Sequence, residues 1–294
     1  MALFKKVGQG LSNSKTVLAQ SGIRPRKRLG QHFLQDRGIT GKIIARARLD
    51  KEDVVLEVGS GLGALTIPAL PLISHLIAVE KDPGLAGLLR ERVPAEEEHK
   101  ITFVVGDILK VPFEEVCNRF HRKIKVLGNL PYNISSPFLE KLVINREYVR
   151  TAILMFQYEF AQRLTAGPCT KDYGALSVIM QYHARLSPLI KVKRDAFYPK
   201  PKVDSMVVEI DFEKPHPSQA EDERLFRRIA RAAFSHRRKT ILNSLERGMV
   251  SLPRETLDEA LRKCLIDPKR RAETLTVDDY IRLTSALTAK ETIS

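Results

Sequence analysis

Cysteine is scarce in this chain of 294 residues: there are three, Cys117, Cys169 and Cys264, far apart and with no C-x-x-C pair. Their number and spacing indicate neither a disulfide framework nor a zinc site, and they fit a reducing compartment. The seven histidines are scattered without metal-ligand spacing, so no metal is expected. Acidic residues are short too, 35 against 49 Lys and Arg, for a net charge of +14. That imbalance, with a pI near 9.7, points to a polyanionic partner. Also missing are an apolar run of membrane length and a long basic amphipathic anchor, so nucleic acid is favoured over a membrane surface. The segment 1–22 carries lysines and no acids, and it lacks the apolar core of a secretory signal. Residues 1–23 are expected to be a flexible basic arm, with a weak transit peptide as the alternative. The expected location is the cytoplasm, with organellar import left open, and the expected state is a monomer.

What is present reads as a globular α/β chain. Hydrophobic residues make up 43% and charged residues 29%, enough for one large and one small domain. Ile39–Ala47 has helical periodicity, with Ile43, Ile44 and Ala47 on one face. Strand-like segments follow at Val54–Val58, Leu76–Val79, Ile101–Val105, Ile124–Leu127 and Ala152–Phe156, alternating with helical stretches. Such alternation predicts a doubly wound parallel sheet, whose ligands bind beyond the carboxyl ends of the strands. Leu189–Lys193 and Val203–Phe212 read as a closing antiparallel pair, and Leu176–Tyr182 as a helix. Pro215 and Pro217 mark a boundary, placing one domain at 24–214 and a small all-helical domain at 215–294.

The candidate site residues fall at the predicted strand ends. Gly59-Ser60-Gly61-Leu62-Gly63 follows a strand and opens a helix, the context of a nucleotide loop. Taken alone it fits a purely structural turn equally well. Glu80 ends the second strand, placed to accept the hydroxyls of a ribose. Asp107 ends the third, placed to take an exocyclic amine. Two carboxylates near one ligand suit a cofactor without phosphates that carries an adenosine and a cationic centre. Asn129-Leu130-Pro131-Tyr132 follows the fourth strand. An amine on an aromatic ring is a poor nucleophile, because its lone pair is delocalised. The Asn129 oxygen and a main-chain carbonyl held outward by Pro131 can accept both of its N–H groups and favour a tetrahedral nitrogen. Tyr132 offers a face for a base.

Three further groups carry weaker signals. Gln31-His32-Phe33-Leu34 stands beside the basic run Arg24, Arg26, Lys27, Arg28 and suggests a flap over a cofactor. Phe197 precedes a Pro-Lys-Pro-Lys loop; it could stack on an extruded base, with Lys200 and Lys202 on phosphates, or anchor the loop in the core. Arg224, Arg227, Arg228 and Arg231 share one side of a helix and continue into Arg237-Arg238-Lys239. Few acids accompany them, which favours phosphate binding over a solvated face.

From about Arg26 to Tyr280 the chain resembles the ribosomal RNA adenine N6,N6-dimethyltransferase family, the KsgA or RsmA group. The carriers are Lys27–Leu34, Glu57–Gly63, Asn129–Ser135, Tyr173–Ser177, Pro201–Ser205 and Phe234–Thr240. The resemblance implies a class I, Rossmann-like methyltransferase fold and S-adenosyl-L-methionine as methyl donor. Its cofactor contacts would be His32, Leu34, Gly59, Gly61, Glu80, Asp107 and Asn129. The implied substrate is a pair of adjacent adenines in a hairpin loop near the 3′ end of small-subunit ribosomal RNA, in the assembling 30S-type subunit. Two departures stand out: His32 where the family often has Asn, and Tyr158 where Lys is expected after Gln157. Rival readings are a large-subunit RNA methylase of the macrolide-resistance type, a non-catalytic assembly or transcription factor on the same fold, and a nicotinamide dehydrogenase.

Overall fold

Among the described residues of the computed structural model, 14–250 and 252–291, nine strands form in chain order. They are β1 (Phe33–Leu34), β2 (Val54–Val58), β3 (His75–Glu80), β4 (Ile101–Val105), β5 (Ile124–Asn129), β6 (Val149–Gln157), β7 (Arg185–Val192), β8 (Phe197–Tyr198) and β9 (Ser205–Asp211). Seven of them make one sheet in the order β4-β3-β2-β5-β6-β9-β7. The pairs from β4 through β6 are parallel, and β9 returns antiparallel to β6. β2 is buried along its whole length, which explains its near-continuous apolar run, because helices cover both faces of a parallel sheet. Val55, Leu56 and Leu76 are fully buried, and each such side chain contributes roughly 1.5–3 kcal/mol of transfer free energy.

The chain leaves β2 toward β3 on one side, while β5 pairs with β2 on the other. Strand order therefore reverses at β2, and a crevice opens beyond the carboxyl ends there. Gly128 makes this junction possible: a Cβ on it would lie 2.9 Å from the Val58 carbonyl oxygen. The short β1 pairs antiparallel with β8, Phe33 opposite Tyr198, and so joins the two ends of the sheet-forming sequence.

Packing divides the chain into two compact units, Met1–Ala161 with Ser187–Glu213, and Gln162–Leu186 with Lys214–Ser294. One crossing between them falls between Glu213 and Lys214. The structure adds Gln162–Leu186 to the second unit, because Tyr173, Val178 and Tyr182 pack in that unit's core with Phe226, Ile229 and Tyr280. The second unit consists mainly of helices, including Ala175–His183, Glu223–Phe234, Ile241–Gly248, Arg254–Lys263 and Val277–Glu291.

One expectation is corrected at the N-terminus. Ser14–Ser21 is a helix rather than part of a flexible arm, because Val17 and Leu18 pack against Phe33, Leu62 and Leu85. Residues 1–13 of that expected arm lie outside the described residues.

Candidate active site at the strand ends

The crevice is a cavity of roughly 1120 Å³, open mouth included, comparable to small-ligand pockets. The four parallel strand ends supply much of its wall: Gly59 after β2, Glu80 in β3, Asp107 after β4 and Asn129 in β5. Gly61, His32, Leu34, Leu130, Pro131 and Tyr132 also line it. The expected cofactor residues and the Asn-Leu-Pro-Tyr turn thus border one space, together with apolar surfaces from Leu62, Leu85 and Ile108.

The Gly-rich loop is closed on itself. The Gly59 and Ser60 N–H groups donate to the Val79 carbonyl at 2.9 and 3.4 Å, and Gly63 donates to Ser60 at 2.9 Å. Gly61 donates to Glu80 Oε2 at 2.9 Å. A pyrophosphate needs such amides free, and these four are spent within the protein. Gly61 has φ +52°, and a Cβ on it would meet the Phe33 ring at 3.2 Å. This loop suits a ligand that packs against backbone without presenting phosphate, as the paired carboxylates also imply.

Glu80 is buried, and burial raises its carboxyl above the ordinary range. Its oxygens accept from Gly61 N–H and, at 2.9 Å, from Asp82 N–H, which leaves each a lone pair for a ligand hydroxyl. Asp107 behaves oppositely. Lys81 Nζ at 2.8 Å and the Leu109 N–H at 3.0 Å hold its carboxyl below the usual value.

Asn129 has its amide fixed: Nδ2 donates to the His32 carbonyl at 2.8 Å, so Oδ1 remains the acceptor. The Leu130 N–H donates to Met155 O at 3.3 Å, and the Pro131 carbonyl accepts from Ile134 N–H at 3.1 Å. Tyr132 is half-buried, with its hydroxyl hydrogen-bonded to Ser205; burial raises its phenol. His32 lies beside Tyr132, ring centroids 5.9 Å apart, and its Nδ1 lies 2.7 Å from the Pro199 carbonyl. That carbonyl requires a donor, which fixes the proton on Nδ1.

Several expected substrate contacts lie elsewhere. Phe197 is 3% exposed in the core with Leu34 and Val207, so it anchors its loop and does not present a face to a base. Lys200 pairs with Asp195, and Lys202 is exposed. In the second unit Arg227 pairs with Glu223, against the expectation of an arginine face almost without acids. Arg237 donates from one guanidinium nitrogen to the Lys171 and Tyr173 carbonyls at 3.0 and 2.6 Å. Arg228, Arg231 and Arg238 are exposed.

Sequence reasoning passed over Glu57. It lines the cavity from the next-to-last position of β2, accepts from Thr66 Oγ1 at 2.5 Å, and burial raises its carboxyl to about 8. A lone acid inside Val-Val-Leu-Glu-Val was the available signal.

The family model described as ribosomal RNA adenine dimethylase matches residues 22–289. Ribosomal RNA small subunit methyltransferase A of Desulforapulum autotrophicum is 44% identical, over 92% of this chain and 95% of that protein. Its namesake from Psychrobacter cryohalolentis is 39% identical, over 94% and 95%. Among solved structures, a dimethyladenosine transferase from Plasmodium falciparum superposes with TM-score 0.75 at 28% identity, covering 88% of this chain and 98% of that one. The 23S rRNA methyltransferase ErmE gives TM-score 0.66 at 25% identity, covering 87% and 99%. With a family model spanning most of its length and relatives near 40% identical over more than nine-tenths of the chain, this chain belongs to the ribosomal RNA adenine dimethylase family.

Proposed function

We propose that the protein is an S-adenosylmethionine-dependent methyltransferase that dimethylates N6 of two adjacent adenines in a hairpin loop near the 3′ end of small-subunit rRNA. The reading includes action as a monomer on the assembling 30S-type subunit in the cytoplasm. The observation that carries it is the locked Asn129 amide, whose oxygen stays available at the cavity wall beside Tyr132.

The cofactor, when bound, supplies a methyl group already activated on a sulfonium centre. The protein's task is therefore orientation and electrostatics. Glu80 accepts the ribose hydroxyls, and Asp107 takes the exocyclic amine of the cofactor's adenine. Asn129 Oδ1 and the Leu130 carbonyl accept the two N–H groups of the target amine and direct its lone pair inward. Tyr132 stacks on the target base. No general base is needed, because the amine proton becomes acidic as nitrogen is alkylated and leaves to water. Lys202 and the exposed Arg228, Arg231 and Arg238 supply phosphate contacts.

The test is methyl transfer from labelled S-adenosylmethionine to small subunits lacking dimethyladenosine, with mass spectrometry of the 3′-terminal RNA fragment. Two adjacent dimethyladenosines are expected. Label confined to large-subunit RNA would overturn the substrate assignment, and cofactor binding without transfer to either RNA would overturn the activity.

A further inference from the structure

A polar relay ties Glu80 to the N-terminal segment. Asp82 caps the helix Pro83–Arg92, with Oδ1 accepting from Gly84 N–H at 3.1 Å. Its own N–H donates to Glu80 Oε1 at 2.9 Å. Its second oxygen, Oδ2, faces the segment that leads into β1. Arg26 Nε lies 3.2 Å from it, and Gln31 Nε2 donates to it at 3.2 Å. Gln31 in turn accepts from the Arg26 N–H at 2.7 Å, which closes a ring of three residues.

The Asp82 side chain is 1% exposed, whereas that of Arg26 is 48% exposed. A carboxylate so far from water depends on its partners to hold its place. Upstream, the helix Ser14–Ser21 presses Val17 and Leu18 onto Phe33, Leu62 and Leu85, three residues of the cavity wall. Residues 14–31 thus form a strap fastened at an apolar end and at an ionic end.

We propose that Asp82 is a positioning residue that couples this strap to the ribose carboxylate Glu80, so that the strap and the cofactor bind cooperatively. The inference rests on the cofactor reading given above and assigns a role outside the ligand-contacting set. Releasing the strap leaves Oδ2 buried without its donors. The carboxylate must then turn toward water, and it carries with it the main-chain N–H that orients Glu80. Cofactor affinity therefore depends on contacts between residues 51 positions apart, and the dependence runs equally in the other direction.

Two substitutions separate this from a merely structural cap. Asp82→Asn keeps an oxygen for the Gly84 N–H but turns an amide nitrogen toward Arg26 and Gln31. Arg26→Met keeps the stem and removes the charge at a half-exposed position, so it serves even where Asp82→Asn fails to fold. Full-length variants are titrated calorimetrically with S-adenosylhomocysteine, and melting temperature and steady-state kinetics are recorded alongside. Each single variant is expected to weaken binding about tenfold. KM for the cofactor should rise with kcat nearly kept, and Arg26→Lys should restore most of the loss. The double variant is expected to bind no more weakly than either single one. Affinity losses that add, or wild-type affinity in Arg26→Met, would overturn the coupling while leaving the cofactor reading intact. Failure of the wild-type chain to bind S-adenosylhomocysteine would instead overturn that reading.

Discussion

In the sheet unit the ionisable groups that line the site are acids held out of water, Glu57 and Glu80, each satisfied by neighbouring donors. The helical unit instead carries arginines at its own surface, and their partners vary: a carboxylate for Arg227, main-chain carbonyls for Arg237. Burying an ionisable group is expensive, so the first arrangement tolerates little change and supports specific chemistry. Exposed charge is inexpensive and redundant, so the second supports binding spread over many groups. A substitution in the first region should have a large effect, on the reaction or on stability, and one in the second a small effect on affinity or stability.

The most severe way to break the contrast is Asn129→Ala. Methyl transfer should fall by roughly 100-fold or more, while S-adenosylhomocysteine affinity measured by titration falls far less. Equal single-turnover rates would remove Asn129 from the chemistry. Gly128→Ala comes next, since its Cβ would press on the Val58 carbonyl, a backbone atom that cannot swing aside. Denaturant unfolding should show a loss of about 1–3 kcal/mol.

Glu57→Gln sharpens the comparison through pH. The folded protein keeps a proton on Glu57 up to about pH 8, whereas the unfolded chain releases it near its ordinary value of 4.5. That stabilisation is complete below 4.5 and drains away as pH rises to about 8. The Gln variant should therefore gain stability relative to the wild type across this interval, on the order of a few kcal/mol. A difference that stays flat from melting curves across the same range would contradict a buried neutral carboxyl.

The smallest effects separate two adjacent arginines. Arg237→Ala should lower the melting temperature, with a cost of about 1 kcal/mol from lost hydrogen bonds. Arg238→Ala should leave melting unchanged and reduce the salt slope of RNA binding by about 1. If both variants changed only the salt slope, the clasp seen at Tyr173 would carry no stability.

The legible parts of the molecule were those with local causes. Strand ends, the glycine loop and the Asn-Leu-Pro-Tyr turn announce themselves because backbone conformation and donor inventory confine which residues can stand there. Phe197 was illegible in its role, because whether it faces a ligand or the core depends on β8 pairing with β1. Arg237 misled for a related reason: its acceptors are carbonyls, which every residue has and no composition reveals. The helix Ser14–Ser21 escaped notice because its two buried apolar residues, Val17 and Leu18, are adjacent and give too short a pattern for periodicity.

The ribbon of β1 with β8 also has a bearing on biosynthesis. The bond from His32 to Pro199 spans 167 residues, so it cannot form until nearly all of the sheet-forming chain has been made. Contacts of such long sequence separation form slowly and late. The parallel strands can pair as they emerge, but the rim between His32 and Pro199 must wait. The parallel strands β2–β6 are thus complete in the chain while the cavity rim is not, and synthesis must run past Pro199 before the site can close.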